Sequence, residues 1–169
     1  VKEVLGPDAE SVALAWRFPG LASKDFEVLQ VVSQVLYNGK AGLIDLDLNQ
    51  QQKVLNSYGY PMGLADYSAF ILGGLPKQGQ TLEEVKDLLL NEIKKLRAGE
   101  FDEKMLQANI NNFKLYELQS MESNEGRADI FVNSFINGTN WKDEVTAIDR
   151  MAKLTKEDKL RIERSQPFI

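Results

Sequence analysis

The chain contains no histidine and no cysteine among its 169 residues, so the side chains most often used for catalysis and metal binding are missing. Histidine is the usual general base near neutral pH and the commonest metal ligand, and cysteine is the softest metal ligand and the usual redox residue. A Ser-His-Asp triad, a Cys-His dyad, an ordinary zinc site and a disulfide are all excluded. We expect no catalytic and no metal-binding residue here, and a domain that packs, binds or supports.

The carboxylates most suggestive of a metal site are Asp45 and Asp47. Carboxylate oxygens suit a hard cation such as Ca²⁺. The two residues are two positions apart on a predicted helix, so their side chains point about 200° apart. Charged positions on a helix mostly form a solvated face, and the sequence favours that reading over a metal site.

Two further groups of polar side chains could contact a peptide. Residues 49–52 read Asn-Gln-Gln-Gln, which is typical of an exposed uncharged helix face, although amides also bond to a peptide backbone. Tyr58, Tyr60 and Tyr67 cluster near a predicted turn. Aromatic residues on an antiparallel sheet usually pack against one another, whereas an exposed pair would grip an extended peptide. Both readings stay open for each group.

Length, composition and charge are those of an ordinary globular protein. The length suits one domain with a hydrophobic core, and 43% of the residues are hydrophobic and 27% charged. The net charge of −5 argues against nucleic-acid binding, which needs a basic surface. No apolar run approaches the roughly 18–20 residues of a membrane span. The absence of cysteine fits a reducing compartment and equally a secreted protein without disulfides.

Alternating apolar residues predict about three strands early in the chain. Residues 10–18 place four large side chains on one face, namely Val12, Leu14, Trp16 and Phe18. Residues 55–60 and 65–73 predict two paired strands, with turn residues between them. Because the later strand carries apolar residues on both faces, we expect it to be central and at least partly covered on both sides.

Helical spacing predicts that most of the remaining chain is helical. Thr81 and Glu84 form a capping box at the start of one helix. In the helix that begins at Asp102, six side chains are predicted to point inward or nearly so, namely Met105, Leu106, Ile110, Phe113, Leu115 and Tyr116. Strands followed by several helices indicate an α+β fold with a mostly helical second half. The predicted helices cover about 23–38, 41–54, 81–98, 102–116, 125–136 and 141–151, and a further one starts at Thr155 and Asp158.

The order of these segments resembles the C-terminal-type domain of the insulinase/pitrilysin family of zinc metallopeptidases. Residues 11–20 (Ser-Val-Ala-Leu-Ala-Trp-Arg-Phe-Pro-Gly) and the helix that closes at 37–39 (Tyr-Asn-Gly) are similar to the family's first strand and helix. Residues 42–48 look like its Gly-Leu-Leu helix, and 55–72 like its paired strands. Residues 82–106 look like the helix and segment that close the unit. The resemblance covers nearly the whole chain and implies a LuxS/insulinase-like domain, an antiparallel sheet with helices packed on one face.

The resemblance also implies that the metal belongs to another domain. The family's zinc motif, His-x-x-Glu-His with a distal Glu, lies in the N-terminal domain of each half, and domains of this C-terminal type typically lack zinc ligands. The implied role is that of a non-catalytic domain of a bacterial zinc peptidase, periplasmic or cytoplasmic. Such a domain helps form the peptide-binding chamber and packs against the catalytic domain of the same or a partner chain. The implied enzyme is the parent protein, and its implied cofactor is zinc.

The family pattern places two substrate-anchoring residues near the Gly-Leu-Leu helix. Active members carry an Arg just after its last Leu and a Tyr seven residues further on. Asn49 and Asn56 occupy these positions here, and Tyr58 lies two residues beyond the second. The resemblance thus implies substrate-binding positions at Asn49, Asn56 and Tyr58, and the two asparagines depart from the family's side chains.

We expect residues 1–169 to form a single inactive domain cut from a longer protein. The chain begins at Val1 without an initiator methionine, and it ends just after a predicted helix, where another strand would begin. Two other functions stay open: a structural or assembly domain of a non-peptidase homologue, and a free-standing module that binds a small ligand.

Overall fold

The computed structural model describes residues 2–155. The strands are β1 (Val12–Pro19), β2 (Asn56–Gly63) and β3 (Tyr67–Leu75). A short π-helical segment spans Asp45–Asn49. The α-helices are α1 (Lys24–Leu36), α2 (Leu82–Ala98), α3 (Glu103–Glu122), α4 (Asn124–Asn137) and α5 (Trp141–Ala152). The predicted start of a helix at Thr155 and Asp158 lies at and beyond the end of the described residues.

The three strands form one antiparallel sheet in the order β1-β3-β2. Phe70 of β3 lies between Trp16 of β1 and Pro61 of β2, so the prediction that β3 is central is confirmed. The predicted turn between β2 and β3 was placed too early, because Pro61 to Gly63 belong to β2 and the turn falls at residues 64–66. Proline is tolerated there because β2 is an edge strand in this sheet.

Helices α1 and α2 cover one face of the sheet. The side chains on that face are buried, and they are Trp16, Phe18, Phe70 and Leu72. A Cβ added at Gly74 would lie 2.6 Å from Cγ1 of Val85, so α2 passes directly over β3. The hydrophobic core therefore lies between this face and the apolar sides of α1 and α2.

The opposite face of the sheet is open in the described part of the chain. Ala13, Ala15 and Arg17 of β1 are exposed, and so are Tyr60 and Met62 of β2. Its β3 residues are exposed or half-buried up to Ile71, and no described helix lies over them. The sequence predicts that β3 is at least partly covered on both sides. On the open face of the described chain, Ala69 and Ile71 are half-buried and Gly73 is buried, whereas Tyr67 is exposed. Coverage of this face is therefore partial.

The helix predicted at 41–54 is shorter than expected and is π-helical over Asp45–Asn49. It ends as a π-helix at Asn49, with Gln50 N–H donating to the Asp45 carbonyl and Lys53 N–H to the Leu48 carbonyl. The carboxylate of Asp45 accepts backbone N–H bonds from Asn38 and Gly42, each at 3.0 Å. Asp45 is buried, so the expectation that it lies on a solvated face is wrong.

Ion pairs join the helices to their neighbours. Nζ of Lys95 on α2 lies 2.6 Å from Oδ2 of Asp47 and 2.8 Å from Oε1 of Glu92. The hydrogen bond from Lys95 holds the pKa of Asp47 below its usual value, whereas burial raises the pKa of Glu92. On the other side, Nε of Arg150 on α5 donates to Glu27 of α1 at 3.1 Å.

The predicted capping box of α2 is confirmed, with Thr81 and Glu84 bonding each other's backbone N–H. Further along the chain the predicted inward faces are only partly buried. Leu106 and Ile110 of α3 are buried, but Leu115 and Tyr116 are 51% and 67% exposed. The prediction that side chains point inward is wrong for these two residues, because the buried residues of α3 all lie in its first half.

Substituting Leu72→Ala is expected to lower the free energy of unfolding by about 3 kcal/mol, since it opens a cavity under the helices. The matched change Ile71→Ala, on the open face of the same strand, is expected to cost about 1 kcal/mol. Urea unfolding followed by circular dichroism measures both. Equal losses would contradict a sheet with one covered face.

Candidate functional site

The three residues predicted to bind substrate all lie around the N-terminal end of β2, but on different sides of it. Asn49 ends the π-helical segment and faces the outer edge of β2. Its Oδ1 accepts hydrogen bonds from the backbone N–H and the hydroxyl of Ser57, and its Nδ2 donates to the Ser57 carbonyl, all at 2.8 Å. Asn49 therefore holds this edge strand in place with its whole amide group.

Asn56 and Tyr58 lie on the open face of the sheet, next to each other along β2. Asn56 is exposed. The Tyr58 ring lies across Gly73 of β3, where an added Cβ would come within 2.3 Å of its Cζ. Tyr58 also stacks with Tyr60, with 6.2 Å between ring centroids. Along β2, the open face therefore presents the Asn56 amide followed by the rings of Tyr58 and Tyr60.

Large side chains on the open face are concentrated along one strand. Strand β2 contributes a large residue to each row, whereas β3 and β1 contribute small ones apart from Ile71 and Arg17. The cross-strand rows are Tyr58–Gly73–Ala13, Tyr60–Ile71–Ala15 and Met62–Ala69–Arg17. Rows of this kind repeat about every 7 Å along a strand, which is the side-chain repeat of an extended peptide. The surface is therefore a low strip along β1 bordered by an aromatic ridge along β2.

A cation and an aromatic ring close one end of this strip. The guanidinium carbon of Arg17 lies 3.4 Å from the centroid of the Tyr67 ring, a cation–π contact. Next to them is a shallow depression lined by Ala15, Arg17, Leu64, Tyr67 and Ala69, among others. The sequence reasoning missed this feature. Alternation along β1 predicts that Arg17 points to the other face of the sheet from Trp16 and Phe18. Its contact with the Tyr67 ring depends on the register between β1 and β3, which alternation does not give.

The described carboxylates do not assemble into a metal site. The two aspartates of the π-helical segment are separately engaged, Asp45 with backbone N–H groups and Asp47 with Lys95. In the described residues no group of three or more carboxylates comes together to hold an ion. Among the four amide side chains of residues 49–52, Gln50 also bonds within the chain, since its Nε2 donates to the Lys40 carbonyl at 2.8 Å.

A second exposed apolar surface lies on α4. We name it the α4 patch, and its residues are Phe131, Val132, Phe135 and Ile136, which are 56%, 52%, 88% and 68% exposed. The ring of Phe131 stacks on Trp141 at 4.1 Å, which fixes the patch against α5. Exposed apolar patches of this kind mark contact sites with other proteins or domains. None of the helices in residues 2–155 has the length and apolar character of a membrane span.

A family model described as the peptidase M16 inactive domain matches residues 1–113, about two thirds of the chain. The match runs from before β1 to the middle of α3. It therefore includes the whole sheet, the π-helical segment and the open face. No curated protein sequence matches the chain.

Solved structures with the same fold include both single domains and larger proteases. A protease from Helicobacter pylori has a TM-score of 0.85 at 20% identity, over 92% of this chain and 38% of that chain. An inactive peptidase domain from Bordetella parapertussis has a TM-score of 0.81 at 16% identity, over 99% and 91%. The periplasmic protease PqqL from Escherichia coli has a TM-score of 0.69 at 16% identity, over 94% and 18%.

The TM-scores show that the chain shares its fold with these structures. The chain spans less than two fifths of the Helicobacter pylori protease. It corresponds to nearly all of the Bordetella parapertussis domain.

Substituting Asn49→Ala is expected to lower the free energy of unfolding by about 2 kcal/mol, because it leaves the Ser57 groups at the edge of β2 without partners. Asn56→Ala is the matched control, and its exposed side chain should matter by less than about 0.5 kcal/mol. Urea denaturation of both variants measures this. A loss at Asn49 no larger than at Asn56 would show that the amide does not hold β2.

Proposed function

The chain belongs to the peptidase M16 inactive-domain family, and on that premise we propose that it is the non-catalytic domain of a zinc-dependent peptidase. In this role it helps form the peptide-binding chamber and packs against the catalytic domain. The observation that carries the proposal is that the fold has two exposed surfaces of different chemistry, the open sheet face and the α4 patch. The family assignment agrees with the resemblance to insulinase/pitrilysin peptidases drawn from the sequence.

The open sheet face supports the chamber role. Tyrosine rings bury apolar area while their hydroxyls stay hydrated, which suits a surface that holds peptides of many sequences. Tyr58 and Tyr60 form such a surface, and Asn56 adds an amide that can bond a peptide backbone. We propose that Asn56 and Tyr58 contact peptide here and that Asn49 acts by holding the strand that carries them.

The α4 patch supports packing against another domain. Phe135 is 88% exposed, and burying a phenylalanine side chain against another domain lowers the free energy of the assembly. The patch consists of four large apolar residues on one side of α4, whereas the open sheet face mixes tyrosine, amide and cationic groups. We therefore assign the α4 patch to the domain contact and the open face to the peptide.

The chain's own residues do not fit a zinc ion. Zinc sites in proteins use histidine and cysteine first, with carboxylates in support. The sequence has neither histidine nor cysteine, and the described carboxylates form no cluster. In the proposed enzyme the zinc and the water it activates belong to the catalytic domain, and this domain takes part in holding and enclosing the peptide.

A second candidate function is that of a structural domain in a non-peptidase assembly. The observation that favours it is the pair Asn49 and Asn56, which stand where active members of the family are expected to carry Arg and Tyr. This function needs the α4 patch for assembly but no peptide contact at the open face. Peptide binding by the chain therefore separates the two candidates.

Substituting Phe135→Ser is expected to weaken the association of the chain with the zinc-binding domain of its parent protein at least about tenfold, because a buried aromatic anchor is lost. Analytical ultracentrifugation of the two components measures the affinity. The matched control is Asn133→Ala, about 200° away around the same helix, which should leave it unchanged. Equal association of wild type and Phe135→Ser would contradict the assignment of the α4 patch.

A further inference from the structure

We propose that Arg17 and Tyr67 bind the C-terminal carboxylate of an extended peptide that lies along the open sheet face. The inference rests on the proposed function, in that the open face is the surface turned toward peptide. It adds a defined end to that surface and a chemical group that the end recognises.

The guanidinium group of Arg17 is held in place but not neutralised. Tyr67 covers one of its flat sides at 3.4 Å. Within the described residues, Arg17 forms no ion pair with a carboxylate. Stacking on a ring leaves the N–H groups at the rim of the guanidinium plane available, and this is the geometry that binds a carboxylate through two parallel hydrogen bonds.

The surroundings of Arg17 leave room for such a group. Ala15 precedes it on the same face of β1, and Ala69 lies directly across on β3. These two methyl side chains form part of the floor of the depression, and Leu64, 55% exposed, lines it as well. A carboxylate placed there would meet the cation with apolar surface around it, where water screens the charge less than in open solvent.

The position of Arg17 on the sheet favours a peptide terminus over an internal acidic residue. The apolar rows of the open face run from Ala13 and Tyr58 toward Arg17 and Met62. Beyond Arg17 the face carries one further cross-strand pair, Pro19 and Tyr67, and the Tyr67 ring lies over the guanidinium group. The face then ends at the turn between β2 and β3, at residues 64–66. A peptide that follows the rows therefore reaches Arg17 where the surface ends, and its last residue meets the cation.

Peptide length can be estimated from the same rows. Three cross-strand rows at about 7 Å intervals accommodate roughly four to six extended residues. An acetylated tetrapeptide with the sequence Val-Tyr-Val-Leu is a suitable probe. It is used in three forms: with a free C-terminal carboxylate, with a C-terminal amide, and with a C-terminal amide plus glutamate in place of leucine.

The test titrates the complete 169-residue chain and its Arg17→Gln variant with each peptide by isothermal titration calorimetry. We expect the free-carboxylate peptide to bind the wild type about tenfold more tightly than the amide peptide. In Arg17→Gln the carboxylate and amide peptides are expected to bind with equal affinity, because the glutamine side chain carries no charge. Arg17→Lys keeps the charge but loses the planar fork, and it should recover only part of the advantage. Thermal unfolding of the variants confirms that the fold is intact.

Three results would overturn the inference, and they differ in what they say about the proposed function. Equal affinity for the carboxylate and amide peptides removes the role of Arg17 but leaves a peptide-facing sheet. Equal affinity for the free-carboxylate and glutamate peptides removes the assignment to the chain terminus. Absence of binding by all three peptides removes the peptide-facing role as well, while the assignment of the α4 patch is judged separately by its own association experiment.

Discussion

The antiparallel register of β3 between β1 and β2 is the constraint on which the rest of the structure depends. Side chains along a strand alternate between the two faces, so this register decides for each residue whether it joins the core or the open surface. Trp16 is buried, and Arg17, the next residue, is exposed. A slip of one residue would bury Arg17 under the helices and expose Trp16 and Phe18.

The surrounding elements stabilise that register, and they cover one face of the sheet while leaving the other open. Helices α1 and α2 cover the buried face, and the Lys95 ion pair ties α2 to the π-helical segment. The same segment holds the outer edge of β2 through Asn49 and Ser57. An element that family resemblance connects with substrate anchoring thus serves here to fix the strand that carries Asn56 and Tyr58.

Local sequence patterns predicted the elements well and their environment less well. The alternation in β1, the capping box of α2 and the central place of β3 all follow from period and turn chemistry, and all are confirmed. The apolar residues of α4 follow the same helical period, but period alone cannot tell whether such a face meets its own core or another domain. The Arg17–Tyr67 contact depends on pairing between distant strands, and no local pattern contains that information. The backbone N–H groups of Asn38 and Gly42 both donate to the Asp45 carboxylate, and hydrophobic period alone does not indicate that this carboxylate is buried.

We propose that the open sheet face stays accessible when the domain is assembled, whereas the α4 patch is covered. Because the chain has no cysteine, a single introduced thiol reports on one position without background. The most direct measurement compares thiol-labelling rates of Met62→Cys and Val132→Cys, alone and bound to the zinc-binding domain, because Val132 lies in the α4 patch and its substitution keeps the Phe135 ring. We expect fast labelling of Met62→Cys in both states and protection of Val132→Cys in the assembly. Protection of Met62→Cys with unchanged labelling of Val132→Cys would contradict this arrangement.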